Sequence, residues 1–222
     1  ELELMRTSSR MNVEVCNRIA QALKEGVTEK EIQALYIQIA QELGSPGPSF
    51  TPLICFGANG AEPHHDSDGT ALKPGATVIM DVGLLWQHYC SDMTRTVLFG
   101  EVSDEQKKVH AIVTAANRAG IAACRPGVKM KDIDRAARKV IEDAGYGPYF
   151  THRTGHGIGL DEHEFPDCSS VSETVTRPGM IFSVEPGIYL PGEFGMRLED
   201  CGVVTSRGYE VFTQLGHEMV II

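Results

Sequence analysis

The chain has 222 residues, of which 42% are hydrophobic and 23% are charged, and its formal net charge is −10. This composition is that of an ordinary globular chain, large enough for a core, arranged as one large domain or two small ones. The acidic balance argues against nucleic acid as a partner. No apolar run is long enough to span a bilayer, so no membrane partner is expected either.

The six cysteines are widely spaced, and none forms a C-x-x-C pair. Zinc-ribbon and thioredoxin-like sites are therefore excluded. A chain of this size does not need disulfides to stabilise its fold. We expect reduced, mostly buried thiols and a cytoplasmic location.

Two helices are predicted at the beginning of the chain. Apolar residues between Leu2 and Cys16 predict the first. The second begins at a capping box formed by Thr28 and Glu31, and it stops at Gly44. Its apolar residues follow the i, i+3, i+4, i+7 spacing of a helix with one buried face.

The same order is repeated about 100 residues later. A helix begins at a capping box of Ser103 and Gln106, and another follows Gly127 and stops at Gly145. We therefore predict a single domain over 1–222, built from two αβ halves at about 1–110 and 111–222. The halves are expected to be related by a pseudo-two-fold.

Each half also contains a basic-Pro-Gly turn, then an apolar run that ends in an acid, then a second acid. The turns are Lys73-Pro74-Gly75 and Arg177-Pro178-Gly179, and the acids are Asp81, Asp92, Glu185 and Glu199. A turn near residues 86–88 would place the two aspartates directly opposite each other. A turn about residues 191–193 would do the same for the two glutamates. Opposed acids repel, so a cation is expected between them.

Four carboxylates balance the charge of two divalent ions. His156, in what reads as a glycine-rich turn over residues 154–159, adds one nitrogen ligand. Oxygen ligands with a single nitrogen suit Mn, Co, Fe or Zn. Two such ions polarise a carbonyl and activate water, which is the chemistry of a hydrolase.

Several motifs resemble those of the creatinase/aminopeptidase P superfamily of "pita-bread" metallopeptidases, and they extend over essentially the whole chain. They are Asp81-Val-Gly, Ser91-Asp92-Met-Thr-Arg-Thr, Thr154-Gly-His156-Gly-Ile-Gly-Leu, His163-Glu-x-Pro166, Val184-Glu185-Pro-Gly-Ile-Tyr189 and Arg197-Leu-Glu199-Asp. The resemblance implies an α/β (α+β) pita-bread fold, with a curved, mostly antiparallel sheet covered by helices.

The resemblance also implies the metal ligands. Two divalent ions, Mn in preference to Co, Fe or Zn, are expected on Asp81, Asp92, His156, Glu185 and Glu199. Asp92 and Glu199 would bridge the ions. Glu185 would also carry the proton of a water molecule that bridges them.

Four further residues match positions of the family in or near the cleft, and Tyr189 is a further candidate for the cleft. His64 and His163 are expected to be catalytic, with His64 donating to the proline nitrogen or the oxyanion and His163 contacting the scissile carbonyl. His152, Arg197 and Tyr189 are expected to bind substrate. The alternative for each is structural: a hydrogen-bonded histidine, an arginine that only neutralises a neighbouring acid, or a core tyrosine.

Thr94 lies two residues beyond Asp92 on the predicted strand. Its hydroxyl is in a position to support a ligand carboxylate. A β-branched residue that merely fills a strand is the alternative interpretation.

The activity implied is hydrolysis of the Xaa-Pro bond at the N-terminus of a dipeptide or short proline-containing peptide. Asp200 and Cys201 stand where methionine aminopeptidases usually carry a histidine, which favours prolidase or aminopeptidase P. The alternatives are a methionine aminopeptidase-like enzyme, a hydrolase of non-peptide amides, and a non-enzymatic binding module. Relatives carry an N-terminal domain, so we expect an isolated catalytic domain of a homodimeric protein.

Overall fold

A computed structural model describes residues 1–222, in which two helices followed by strands occur twice. The helices are α1 (Leu2–Gln21), α2 (Glu29–Glu42), α3 (Asp104–Ala123) and α4 (Met130–Asp143). The strands of the first half are β1 (Leu53–Phe56), β2 (Thr77–Val82), β3 (Leu85–Trp86), β4 (Tyr89–Cys90) and β5 (Met93–Leu98). Those of the second half are β6 (Gly155–Gly157), β7 (Glu164–Cys168), β8 (Ile181–Val184), β9 (Gly187–Leu190), β10 (Phe194–Arg197), β11 (Asp200–Thr205) and β12 (Gly208–Val211). Short 3-10 helices cover Gly57–Ala61 and Gly147–Tyr149.

The helix boundaries follow the signals in the sequence. Both predicted capping boxes are formed, one at the start of α2 and one at the start of α3. After α2 and α4 the chain turns at Gly44 and Gly145, with φ of 92° and 88°, a left-handed conformation that glycine adopts without a Cβ clash. Because α3 begins at Asp104, the expected division near residue 110 falls inside this helix, and the structural repeat begins with α3 as a whole.

The strands pair antiparallel throughout the main sheets. The first half has a three-stranded sheet in the order β1-β2-β5, and the second has a five-stranded sheet in the order β12-β11-β8-β6-β7. Two hairpins, β3-β4 and β9-β10, extend from these sheets. None of the helices combines the length and apolar composition needed to cross a bilayer.

The helices of both halves pack on the sheets, and α1 also contacts the sheet of the second half, where Met5 lies in one cluster with Cys201 and Val203. In the first half, the buried side chains of α1 and α2, such as Ile19 and Tyr36, lie against Ile54 and Met80 of the sheet. Fully burying an aliphatic side chain of this kind contributes about 1.5–3 kcal/mol. All six cysteines are buried and free, as predicted.

The first hairpin differs from the prediction in its register. Gln87 and His88 both have positive φ, 47° and 72°, and form a two-residue turn between β3 and β4. Such a turn centres the hairpin between these two residues. Asp81 therefore lies opposite Thr94, and Asp92, just before β5, is its diagonal neighbour. The prediction that the two aspartates are directly opposed was wrong.

The second hairpin has the predicted register. On one side of the two glutamates Gly187 pairs with Arg197, and on the other side Val184 pairs with Asp200. Both pairs belong to the same register. It places Glu185 opposite Glu199. The two halves thus present their acid pairs with different geometry, diagonal in the first half and directly opposed in the second.

Candidate metal centre

A polar cleft of about 250 Å³ is lined by residues of both halves. Its lining consists of Phe50, Leu53, Pro63, His64, Asp81, Asp92, His152, Arg153, His156, Glu162, His163, Glu185, Arg197 and Glu199. The structure thus brings together all five expected ligands, both expected catalytic histidines, and two of the three expected substrate-binding residues. Tyr189 is absent from the lining.

Four of the five expected ligands lie at or next to strand ends, and the fifth lies at the centre of a strand. Asp81 is near the end of β2, and Asp92 immediately precedes β5. Glu185 immediately follows β8, Glu199 immediately precedes β11, and His156 is the middle residue of β6. The interpretation of residues 154–159 as a turn was therefore wrong for His156, which lies in a sheet between β7 and β8.

Glycines on both sides of His156 allow this strand to be so closely packed. A Cβ added to Gly155 would lie 1.9 Å from the backbone oxygen of Ser183, and one added to Gly157 would lie 2.3 Å from the backbone of Phe165. The Ser183 hydroxyl accepts the His156 N–H at 3.0 Å and donates to Glu185 at 3.1 Å. Backbone packing thus fixes His156 beside Glu185.

The candidate ligand atoms converge at the base of the cleft. One atom each of Asp92, His156 and Glu199 lie within 4.8 Å of one another, and all three residues are buried. His156 Nε2 is 3.5 Å from Asp92 Oδ2 and 3.4 Å from Glu185 Oε1. Three carboxylates therefore surround a single imidazole.

These carboxylates lack the partners that buried acids need. Asp92 Oδ1 and Glu199 Oε1 are buried without any hydrogen bond. Burial, together with the negative charge of Glu199, raises the pKa of Asp92 well above its usual range. Burial, together with the negative charges of Glu185 and Asp81, raises the pKa of Glu199 well above its usual range. A buried unpaired carboxylate is costly, and a hard divalent cation satisfies it. The donor set of oxygens with one imidazole therefore fits a divalent metal.

The buried Arg197 side chain holds two of the acids in place, Asp81 directly and Glu199 through the Thr94 hydroxyl. Arg197 donates from Nη2 to Asp81 Oδ2 at 2.5 Å and from Nε to the Thr94 hydroxyl at 3.1 Å. That hydroxyl donates in turn to Glu199 Oε2 at 2.8 Å. The predicted support of a carboxylate by Thr94 is confirmed, although the carboxylate is that of Glu199. The neighbouring acid Asp200 pairs with a different arginine, Arg95, at 2.7 Å.

Tyr189 and His152 form a second supporting group. Tyr189 is buried, and its hydroxyl accepts from Arg197 Nη1 at 2.8 Å and lies 2.8 Å from His152 Nε2. Burial lowers the pKa of His152 to about 3, so this imidazole is neutral at physiological pH. Tyr189 thus lies behind the cleft wall and holds two residues of that wall in place.

The two expected catalytic histidines lie toward the solvent. The ring centroid of His163 is 4.1 Å from that of His156, in an edge-on arrangement, and its side chain is 55% exposed. His64 is exposed and follows the 3-10 helix that ends at Ala61. Both rings are open to a molecule that enters the cleft.

Five lining residues were not predicted from the sequence as site residues, and one of them is Pro63, which immediately precedes His64. Arg153 and Glu162 are immediate neighbours of two histidines that had been singled out, and that adjacency was an available signal. Phe50 and Leu53 supply the hydrophobic part of the lining. They precede the first motif, and no pattern in the sequence distinguishes them from core residues.

Two αβ halves with an acid-lined cleft between them define the class of metal-dependent hydrolases with the pita-bread fold. The model of metallopeptidase family M24 matches residues 3–206, and the chain belongs to this family. Three similar solved structures carry the same fold over nearly the whole chain. An X-Pro aminopeptidase from Thermotoga maritima MSB8 is 35% identical with a TM-score of 0.98, and the match covers 100% of this chain and 63% of that chain. An Xaa-Pro dipeptidase from Bacillus anthracis is 36% identical with a TM-score of 0.98, and the match covers 100% of this chain and 62% of that chain. A prolidase from Pyrococcus horikoshii OT3 is 34% identical with a TM-score of 0.97, and the match covers 99% of this chain and 63% of that chain.

Among curated sequences, an uncharacterized peptidase of Staphylococcus aureus (strain MSSA476) is 46% identical over 191 residues. The match covers 86% of this chain and 54% of that protein. An uncharacterized peptidase of strain USA300 gives the same identity and coverage. The chain thus spans about half the length of the curated relatives it matches and less than two thirds of each of the three solved structures.

Proposed function

We propose that this chain binds two divalent metal ions and hydrolyses the Xaa-Pro bond at the N-terminus of a dipeptide or short peptide. The observation that carries the proposal is the pair of buried, unpartnered carboxylate oxygens on Asp92 and Glu199. Membership of a metallopeptidase family makes a divalent cation the natural partner of these oxygens. The names of the solved neighbours, which include an Xaa-Pro dipeptidase and a prolidase, support the choice of bond.

The ions would be held by Asp81, Asp92, His156, Glu185 and Glu199. Asp92 and Glu199 are the two acids that each keep a buried oxygen without a hydrogen bond, and the charge of Glu199 contributes to the raised pKa of Asp92. Bound there, the metals would supply Lewis acidity to activate water and polarise the scissile carbonyl. We assign Mn in preference to Co, Fe or Zn, because four of the five ligands are carboxylates, the ligand type that suits Mn.

The chain's own residues then have separate roles. Glu185 accepts a proton from the attacking water and returns it to the departing proline nitrogen. His163 and His64, both open to the cleft, hydrogen-bond the scissile carbonyl and the oxyanion that develops from it. Arg197 and Thr94 hold Asp81 and Glu199 in place from behind.

An Xaa-Pro bond has a tertiary nitrogen without an N–H, so ordinary peptidase contacts to that N–H are unavailable. A site for it must position the bond by other groups and protonate the nitrogen on departure. Phe50 and Leu53 give the cleft an apolar surface, and we assign them to the proline ring. Homodimerisation and a cytoplasmic location are part of the same proposal.

One experiment separates this proposal from the non-enzymatic alternative and from the methionine aminopeptidase-like alternative. The chain is stripped with a chelator, reloaded with Mn and tested on alanyl-proline, alanyl-alanine, a methionyl peptide and a longer Xaa-Pro-Yaa peptide. We expect the Xaa-Pro substrates to be cleaved only after reloading. Full activity of the stripped chain, or cleavage of the methionyl peptide alone, would contradict the proposal.

A further inference from the structure

A buried carboxylate lies at the start of α2, outside the candidate metal centre. Glu29 is the first residue of this helix, and its side chain has no exposed surface. None of the metal ligands or substrate contacts proposed for this chain involves it. A buried acid is costly unless it is hydrogen-bonded, so the partners of Glu29 indicate its role.

The partners of Glu29 all lie in the segment that runs from the last residue of β1 to Asp68. Its Oε1 accepts from the Phe56 N–H at 2.7 Å and from Asn59 Nδ2 at 3.0 Å. Its Oε2 accepts from the Asp68 N–H at 2.9 Å and lies 3.3 Å from His65 Nε2. One side chain thus joins both ends of the segment to its middle.

This segment, residues 56–68, forms part of the cleft wall. Pro63 and His64 belong to it, and both line the cleft. His65 directly follows His64, and the ring of His65 contacts Glu29. The backbone of His64 is therefore held one residue away from a side chain that Glu29 fixes.

The other anchors of the segment lie on either side of His64. The backbone of Gly60 packs against β10, where a Cβ added to the facing glycine would lie 1.7 Å from the Gly60 oxygen. The Ser67 hydroxyl exchanges two hydrogen bonds with the backbone of β1, at 2.9 and 3.0 Å. Between these anchors His64 is exposed to solvent, so burial does not fix it. Its position depends on its neighbours, and one of them is tied to Glu29.

The start of α2 does not depend on the Glu29 side chain. The capping box of Thr28 and Glu31 satisfies the first turn of this helix. The carboxylate of Glu29 accepts from the 56–68 segment and from no group of α2. Its hydrogen bonds therefore serve the segment and not the helix.

Resting on the proposed role of His64, we propose that Glu29 is a positioning residue, which fixes the 56–68 segment so that His64 reaches the scissile carbonyl. Glu29 acts through His64, and it neither binds metal nor touches substrate. Its second carboxylate oxygen is required, because glutamine replaces that oxygen by an amide that cannot accept from the Asp68 N–H. A misplaced donor to the oxyanion weakens the transition state, so the loss belongs to kcat and not to KM.

The test is a double-mutant cycle on the Mn-loaded chain with alanyl-proline as substrate. His64→Ala should lower kcat about 100-fold, the effect of removing one donor to an oxyanion. Glu29→Gln should lower kcat about tenfold, the low end for a hydrogen bond to a charged group. KM and Mn affinity should both stay within about threefold of wild type. In the His64→Ala background, Glu29→Gln should have no further effect, because the two residues act as a unit.

Two control variants of the same helix separate positioning from stability. Tyr36→Phe removes a buried hydrogen bond to Asn12 Oδ1 at 2.6 Å, and it should lower Tm without lowering kcat. Glu31→Gln keeps the capping box, which accepts either residue, and it should alter neither quantity. The assignment is overturned by an unchanged kcat in Glu29→Gln, by a full additional loss in the His64→Ala background, or by an equal loss in Tyr36→Phe.

A spectroscopic arm separates this inference from the proposed function, because it needs no turnover. NMR follows the backbone amide signal of His64 in the chain loaded with Zn, which is diamagnetic. We expect Glu29→Gln to shift this signal and Tyr36→Phe to leave it unchanged. A shifted signal in a chain that hydrolyses no Xaa-Pro substrate would retire the proposed function and leave the control of the segment by Glu29 standing. Hydrolysis of alanyl-proline, with a His64 signal and a kcat that Glu29→Gln leaves unchanged, would do the reverse.

Discussion

Arg197 Nη2 donates a hydrogen bond to Asp81 Oδ2 across 116 residues of chain, and it joins β10 of the second half to β2 of the first. The Arg197 side chain is buried, and that of Asp81 is 13% exposed. The pair therefore links the two halves at the seam where the acids converge. Its loss should affect both the fold and the affinity for metal.

Replacing Arg197 by Gln leaves Asp81 without its charged partner. Breaking a buried ion pair from one side costs about 3–5 kcal/mol, and loss of a residue that orients a ligand lowers metal affinity about 10- to 100-fold. Chemical denaturation and Mn titration measure the two effects. Arg135→Gln, a change on the exposed face of α4, should alter neither. Unchanged Mn affinity in Arg197→Gln would show that Arg197 does not position Asp81.

Thr94 permits a cleaner test of the same support. Thr94→Val keeps the shape of the side chain and removes the hydrogen bond to Glu199 Oε2. We expect Mn affinity to fall about tenfold. Thr77→Val on β2 is the matched control, because the Thr77 hydroxyl is buried without a partner and its removal should be neutral or slightly stabilising. Equal Mn affinities in the two variants would contradict the role of Thr94.

Much of this arrangement is readable from the sequence because its signals are local. The capping boxes at Thr28 and Ser103 fix the starts of α2 and α3, since the hydrogen bonds involved span only three residues. The register of the second hairpin also follows from its Pro191-Gly192 turn. The metallopeptidase family is predictable for the same reason, since each of its motifs is a short contiguous segment.

The remaining features depend on contacts between distant segments. The position of Asp81 opposite Thr94 was missed, because two consecutive left-handed residues at Gln87 and His88 move the centre of the turn. His156 was assigned to a turn, since nothing local indicates that Ser183 and Phe165 pack against its flanking glycines. The hydrogen bonds of Arg197 to Asp81, Thr94 and Tyr189 are likewise a property of the packed site.

The metal-free chain should lose stability as the pH rises toward 8. Burial raises the pKa of Glu185 to about 7 and raises those of Asp92 and Glu199 well above their usual range. An acid whose pKa is raised by folding stabilises the fold while it is protonated. That contribution is complete below the unfolded-state pKa of about 4.3 and is lost as the pH passes through the folded-state value.

We therefore expect the Tm of the chelated chain to fall between pH 5.5 and pH 8, and Mn to restore it at pH 8. Glu185→Gln should reduce the slope, because it removes one of the titrating groups. Differential scanning calorimetry across this range measures both effects. A Tm of the chelated chain that rises toward pH 8 would contradict the assignment of these acids as uncompensated charges.

Asp92→Asn distinguishes the effect of the buried Asp92 charge on stability from its role in binding metal. The amide has nearly the same shape and no charge, so the metal-free variant should be more stable than wild type at pH 8. It should also bind fewer ions, and kcat should fall at least about 100-fold. Asp132→Asn, on the exposed face of α4, is the control for a lost acid away from the cleft. Wild-type metal content in Asp92→Asn would exclude Asp92 as a ligand.

The proposed function is metal-dependent cleavage of the Xaa-Pro bond by residues at the seam of the two halves. Its most direct test is a titration of the chelated chain with Mn, in which bound metal and the rate on alanyl-proline are measured on the same samples, with alanyl-alanine as the reference substrate. We predict no activity without metal, full activity only as the second equivalent binds, and a clear preference for alanyl-proline. Activity that is independent of metal, or a fully loaded chain that leaves alanyl-proline intact, would contradict the account.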